Sequence, residues 1–497
     1  MDLIRNSIPY YDVILDNTST YEESADAIVP DTFPDIARIV YADGMVTIKD
    51  QSPQNDRILV SGNVAVTVLY QPEGEDGLRR LDVPLSFAHI EEGRGVGAES
   101  ICFVRCSVVS VDARAVNSRK VSVTAKLCFE SSVYQDQVLT YTEKIDCGQT
   151  PIEVLYDTRE ISLLSTVRTG EFTILDDLEL SGSDDLELLH TDCTLRQNEC
   201  RAMNGRLLVR GDAALHMLVR DDIGSLQQIV QTVPFTQMVD VEGLAENETV
   251  TLRLAVRGVD CVLEKGGVLS VGIGASALIL RAETHMVRTI RDLYQTKHEL
   301  NVCAGQINIH QCALCGNFSA DSSETVPIGM QVSQYIYAKA VCTEGIFEEE
   351  DTIRLKVDAE ILYLDDEGSA YQTHRTLSLP VHLNTPVQGL SPQDFTVAVT
   401  ASPSGEDSVN LRFAVSGLMM RSSPERIQDI TKVEISAEER SGLGDVTLVL
   451  RRVDEGEQLW DIAKLYATTA AAIRAANDIP EEEQAVGAQM LLIPIES

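Results

Sequence analysis

The stretch Arg57-Ile58-Leu59-Val60-Ser61-Gly62-Asn63-Val64-Ala65-Val66-Thr67-Val68-Leu69-Tyr70 places apolar side chains at every second position through Val64, Val66 and Val68. A period of two marks a strand with one buried face and one wet face. The same pattern returns at Arg206-Leu207-Leu208-Val209-Arg210-Gly211-Asp212-Ala213-Ala214-Leu215-His216-Met217. It returns again at Thr352-Ile353-Arg354-Leu355-Lys356-Val357-Asp358-Ala359-Glu360-Ile361-Leu362-Tyr363, with Val357 at the glycine position. After each copy come a polar turn (73–77, 221–225, 365–369) and a further strand closing at Pro84, Pro234 or Pro380.

A hairpin follows each time. In the first copy 108–116 and 121–129 flank Asn117-Ser118-Arg119-Lys120. In the second, 250–263 turns at Lys265-Gly266-Gly267, and in the third, 395–401 turns at Pro403-Ser404-Gly405. Small and polar residues at these tips accept the positive φ that tight connections need. The repeats predict three β-rich units, 1–164, 165–300 and 301–435, with joints near 165–170 and 301–316 and a flexible tether at 436–445. Helix is scarce; Phe33-Pro34-Asp35-Ile36-Ala37-Arg38-Ile39-Val40 and Asp184-Asp185-Leu186-Glu187-Leu188-Leu189 read as short helical lead-ins.

The last segment, 446–497, has a different rhythm. Val446, Leu448 and Leu450 read as a strand, and Leu459, Ile462, Ala463 and Tyr466 then fall on one stripe of a helix. Thr468 or Thr469 caps a second helix that turns Ile473 and Ala476 inward and stops at Asp478 and Pro480. Leu491-Leu492-Ile493-Pro494 closes the segment as a strand. The expectation is a small α+β module in the order strand, helix, helix, strand.

Composition narrows the function. The 497 residues carry 40 Lys and Arg against 77 Asp and Glu, a net charge of −37. Such a surface repels phosphate backbones and anionic lipid, so neither nucleic acid nor direct membrane binding is expected. A protein with a basic or neutral face is the fitting partner. Met1-Asp2-Leu3-Ile4-Arg5-Asn6-Ser7-Ile8-Pro9 has no basic start followed by a long apolar run, and no stretch approaches a membrane span. Eleven scattered cysteines, an odd number, suit buried thiols in a reducing cytosol better than a disulfide framework.

Two resemblances follow from these residues. Segment 446–497, with Gly456 at its first corner and Asn477 ending its second helix, resembles the LysM module. That resemblance implies a groove lined by Gly456, Glu457, Gln458 and Leu459 on one side and Ile479, Pro480 and Glu481 on the other. In LysM proteins the groove takes N-acetylglucosamine polymers. Here Glu457-Gln458 stands where the family usually has Asp and a hydroxyl residue, and Glu481-Glu482-Glu483 adds an acidic run. The groove is read as a glycan site or as a fold turned to a protein partner. Pro34-Asp35-Ile36, the strand ending at Leu69-Tyr70, the closure from Pro84 to Phe87 and Asn117-Ser118-Arg119-Lys120-Val121 resemble the SPOCS domain of spore coat proteins. The second and third units share its strand pattern more than its signature residues.

SPOCS-like units ending in LysM resemble morphogenetic proteins of anaerobic spore formers that bind the coat-basement ATPase, stage IV sporulation protein A. The resemblance implies a non-enzymatic coat-assembly scaffold in the mother-cell cytosol at the forespore surface, with no cofactor. The alternative is a wall-associated protein that binds peptidoglycan.

Other chemistry has a plainer reading. Cys312 and Cys315, with Cys303 and His310 nearby, are zinc-ligand types, yet one such pair reads as thiols of an interdomain segment. Gly272-Ile273-Gly274-Ala275-Ser276-Ala277 lies within a strand pattern rather than at a phosphate-cradling turn. Glu348-Glu349-Glu350-Asp351 is a solvated turn or a patch for a basic partner. Trp460, the only tryptophan, reads as a packing residue of the first helix or as a contact residue if its edge is exposed.

Overall fold

The computed structural model describes residues 2–495 apart from 76, 149–150, 181–185, 265, 350, 384–390, 406, 441–445 and 481–488; the side chains of 315, 349 and 391–393 are likewise not described. The period-two segments are strands. First come β1 (Asp2–Ile28), β2 (Ile36–Gln54), β3 (Arg57–Pro72), β4 (Arg79–Glu92), β5 (Ile101–Asn117) and β6 (Lys120–Asp146). Strands β2, β3 and β4 form an antiparallel sheet, and β6 pairs with β5 on one side and β1 on the other. The two sheets face each other over Val64, Val66, Val68, Leu85 and Phe87 from one and Val104, Val121, Val123, Leu127 and Phe129 from the other. Each such side chain contributes ~1.5–3 kcal/mol on burial. β5 stops pairing at Tyr134, while β1 and β6 stay paired out to Asp2 and Asp146, so a two-stranded ribbon leaves the sandwich.

The same order recurs in β7 (Glu153–Glu179), β8 (Glu187–Met203), β9 (Arg206–Arg220), β10 (Leu226–Asp240), β11 (Thr251–Leu263) and β12 (Val268–Tyr294). It recurs again in β13 (His298–Pro327), β14 (Gln334–Glu349), β15 (Thr352–Leu364), β16 (Ala370–His382), β17 (Ser391–Pro403) and β18 (Ser408–Glu439). The three ribbons pack together through Tyr10 and Tyr141, Ile161 and Val287, and Ile309 and Ile427. A bridge from Tyr11 to Leu164 joins the first two into one six-stranded sheet.

The three-stranded sheets also meet. β2, β8 and β14 each carry a bulge at one place, between Ile39 and Tyr41, Leu188 and His190, and Tyr335 and Tyr337. A bulge re-aims the side chains beside it. Tyr41, His190 and Tyr337 thereby form a triangle with centroid separations of 6.3, 6.4 and 6.1 Å, all edge to face. Two residues on, Asp43, Asp192 and Lys339 occupy matching positions. Lys339 Nζ lies 3.0 Å from Asp43 and 3.9 Å from Asp192, and His190 Nε2 lies 3.0 Å from Asp43. Burial would push the Asp43 carboxyl up, but Lys339 and His190 outweigh it and hold it well below the usual carboxylate range. The contacts join three parts of the chain far apart in sequence.

The glycine that opened the sequence reading has a steric cause. A Cβ on Gly62 would meet the Thr47 carbonyl and come 2.7 Å from the Phe87 ring; on Gly211 it would meet the Arg196 carbonyl and come 2.6 Å from Phe235. Opposite Val357 the third unit has Leu377 instead of a ring.

Several expectations change. Phe33–Val40 is not helical: Ile36 begins β2, and β8 begins at Glu187 where the second helix was expected. The backbone there pairs with the next strand, which overrides local propensity. Residues 165–170 and 301–316 lie inside β7 and β13, and 436–439 complete β18. Arg440 is held by Lys297 O at 3.0 Å and Glu299 at 2.9 Å, while 441–445 lie outside the described residues. Ser and Gly in these segments serve long ribbons rather than hinges. The three prolines do not share a register: Pro84 faces Ala65, Pro234 faces Asp212 and Pro380 faces Arg354.

Candidate functional site

Two of the SPOCS-like signature stretches of the first unit, Pro34-Asp35-Ile36 and Asn117-Ser118-Arg119-Lys120-Val121, distant in sequence, meet at the hairpin tip. Arg119 donates to Asp35 at 2.9 Å, to Phe33 O at 2.8 Å and to Pro30 O at 3.0 Å, and the Ser118 hydroxyl donates to Asp35 at 2.8 Å. The Val29 N–H also donates to Arg119 O at 2.9 Å. The tip of β5–β6 thus clasps the connection from β1 to β2. Leu180 N–H to Gly267 O and Ile328 N–H to Asp407 O, both at 2.8 Å, place the same backbone clasp in the other units. Arg119 therefore has a structural role.

The C-terminal segment folds as β19 (Leu448–Val453), α1 (Leu459–Leu465), α2 (Ala470–Asn477) and β20 (Gln489–Pro494), with the two strands antiparallel. Val453, Leu459, Ile462, Ala463, Ile473, Leu491 and Ile493 form its core. The first corner needs Gly456, whose φ is +88°. Thr469 caps α2 by accepting from Ala472 N–H at 3.0 Å. Asn477 fastens α2 to β20: its amide donates to Leu492 O at 2.6 Å and its oxygen accepts from Leu492 N–H at 2.8 Å.

The groove residues have unequal fates. Leu459 is 1% exposed and belongs to the core, so its side chain lines no groove; the helical stripe that identifies α1 also turns Leu459 inward. The Glu457 carboxylate is occupied within the module, accepting from Arg451 at 2.7 Å and from Asp454 N–H at 2.9 Å. Gln458 and Pro480 are exposed, and Ile479 is half-buried against the core. Glu481 lies outside the described residues. On the sheet face away from the helices, Leu448, Leu450, Met490 and Leu492 are exposed together, beside Arg452. Sequence reasoning read Leu448, Leu450 and Leu492 as strand residues without assigning them a face, and did not include Met490.

Trp460 faces the second unit. Its indole N–H donates to Asp292 Oδ2 at 2.8 Å, and its ring stands edge-on to Tyr294 at 4.8 Å. Lys464, one turn along α1, reaches both Asp292 oxygens at 2.7 Å. Tyr294 donates to Thr468 O at 2.8 Å. Burial pushes the Asp292 carboxyl up, but hydrogen bonds from Lys464 and Trp460 outweigh this and hold it below its ordinary value. Nothing in the alternation of β12 singles out Asp292 or Tyr294, since a partner far along the chain defines their role.

Cys312 is buried among residues of all three units, including Phe103 and Leu280, and Cys303 on the same strand is exposed; the Cys315 side chain is outside the described set. No three described His, Cys, Asp or Glu side chains are grouped to hold a metal ion. No helix among the described residues is long and apolar enough to cross a membrane.

No curated protein and no solved structure matches the chain. Residues 35–116 and 186–264 match the family described as SipL, SPOCS domain. The two matches span equivalent structure, β2 to β5 in one unit and β8 to β11 in the next. The first and second β units are therefore similar to the SPOCS domain over these residues.

Proposed function

We propose that this protein is a non-enzymatic scaffold of spore coat assembly, working in the mother-cell cytosol at the forespore surface. Its C-terminal LysM-like module captures the coat-basement ATPase, stage IV sporulation protein A. The observation that carries the reading is the paired similarity of the first two β units to the SPOCS domain, which supports a sporulation-related role. The third unit, with the same strand order, serves as a further SPOCS-like unit.

The surface of the module supports a protein partner over a glycan. Leu448, Leu450, Met490 and Leu492 offer an aliphatic face, and such contiguous apolar surface is typical of protein contacts. Among the described groove residues, Leu459 belongs to the core and the Glu457 carboxylate is taken by Arg451, so neither side chain is offered to a sugar. The order strand, helix, helix, strand keeps the N-acetylglucosamine polymer as the competing ligand.

The deciding experiment incubates the purified chain with stage IV sporulation protein A and, separately, with chitin and peptidoglycan. Capture of the ATPase with no retention on either polymer is expected. Retention on peptidoglycan without ATPase capture would reverse the assignment.

A further inference from the structure

Asp292 and Tyr294 lie at the end of a ribbon of the second unit, yet their polar groups are spent on the C-terminal module. One carboxylate receives the Trp460 indole N–H and the Lys464 ammonium, and one phenol reaches the Thr468 carbonyl. Trp460 and Lys464 are four residues apart, so they share one face of α1. Leu459, Ile462 and Ala463 occupy the other face and close the module's core. Trp460 and Tyr294 also pack against that core, so undocking uncovers one edge of it while Leu459, Ile462 and Ala463 stay clustered with Ile473, Leu491 and Ile493.

The contact is suited to reversal. Asp292 and Lys464 side chains are 33% and 37% exposed, so water and salt compete with their pairing. Tyr294 is 2% exposed and packs with the module core, which gives the seat its apolar component. Arg440 sits 5.7 Å over the Tyr294 ring and is bonded to Glu299 and Gln295 O, so the chain leaving β18 is pinned beside the seat. A module so tethered meets the seat at high effective concentration even when the contact is weak.

We infer that α1 docks reversibly on the second unit through Asp292 and Tyr294, and that docking withholds the Trp460–Lys464 face from other proteins. When released, that face presents an indole and an ammonium one turn apart. It fits a partner surface that repeats the chemistry of the seat, a carboxylate beside an aromatic ring. The withholding step rests on the proposed capture of the coat ATPase; the docking step does not.

Trp460 is the only tryptophan, so its emission reports the seat directly. In the full chain, Asp292→Asn and Lys464→Gln should red-shift the emission and make acrylamide quenching several-fold faster, with the far-UV circular dichroism unchanged. Asp292→Glu should restore much of the shielding. Unaltered emission and quenching in both Asp292→Asn and Lys464→Gln would overturn docking. Wild-type and Asp292→Asn chains are then titrated with stage IV sporulation protein A. Several-fold tighter capture by Asp292→Asn supports withholding, and equal or weaker capture overturns it. If neither chain captures the ATPase, withholding from that partner is overturned along with the proposed function, while the emission still decides docking.

Discussion

The β units and the C-terminal module are joined to the rest of the molecule by charges that differ in burial. The units meet through buried rings and charges: Asp43 is 0% exposed and is held by one residue from each of the other units. The module meets the second unit through one buried ring, Tyr294, and a carboxylate left one-third open to water. Removing one member of a buried ion pair leaves the other uncompensated, whereas water replaces a lost partner at the surface. The difference teaches that the three units pack as one body, while the proposed reversible seat makes the module the part expected to separate first.

Asp43→Ala is the hardest test of the single body. It strands Lys339 without its closest carboxylate and should cost about 3–5 kcal/mol. Urea unfolding followed by circular dichroism should show the three units moving together, and a shift confined to one unit would break the comparison. Leu459→Ala probes the other side. A loss of ~2–5 kcal/mol in the module core should unfold 446–497 first, while the transition of the β units stays in place. Trp460 emission follows the module and circular dichroism follows the body.

Gly211→Val sharpens the view of the units themselves. The added side chain collides with the Arg196 carbonyl and the Phe235 ring, and should cost ~1–3 kcal/mol by urea titration. Arg119→Ala, losing bonds at a position about a third exposed, should lower stability only slightly and speed hydrogen exchange at Val29 and Ile36. Asp292→Asn is the smallest. It should change overall stability by less than ~1 kcal/mol and yet release Trp460, a release that high salt should partly imitate in the wild-type chain.

Much of the fold was legible because alternation is local. Val64, Val66 and Val68 announce β3 without help from the rest of the chain, and Leu459, Ile462 and Ala463 announce α1 in the same way. Residues whose role is set by a distant neighbour were not legible. The glycine pattern marked Gly62 but not the ring of Phe87 that explains it, and 165–170 read as a joint although the ribbon continues through it. At the module, the groove residues followed from a family resemblance, while the seat of Trp460 on Asp292 had no local sign.

By itself the sequence determined strand and helix periods, the recurrence of the strand pattern and the acidity of the surface, since each depends on neighbours a few residues apart. Tertiary structure alone decided that Tyr41, His190 and Tyr337 share a triangle, that Lys339 answers Asp43, and that α1 rests on the second unit. Those contacts join residues more than a hundred positions apart, and their energy exists only once the backbone has brought them within a few ångströms.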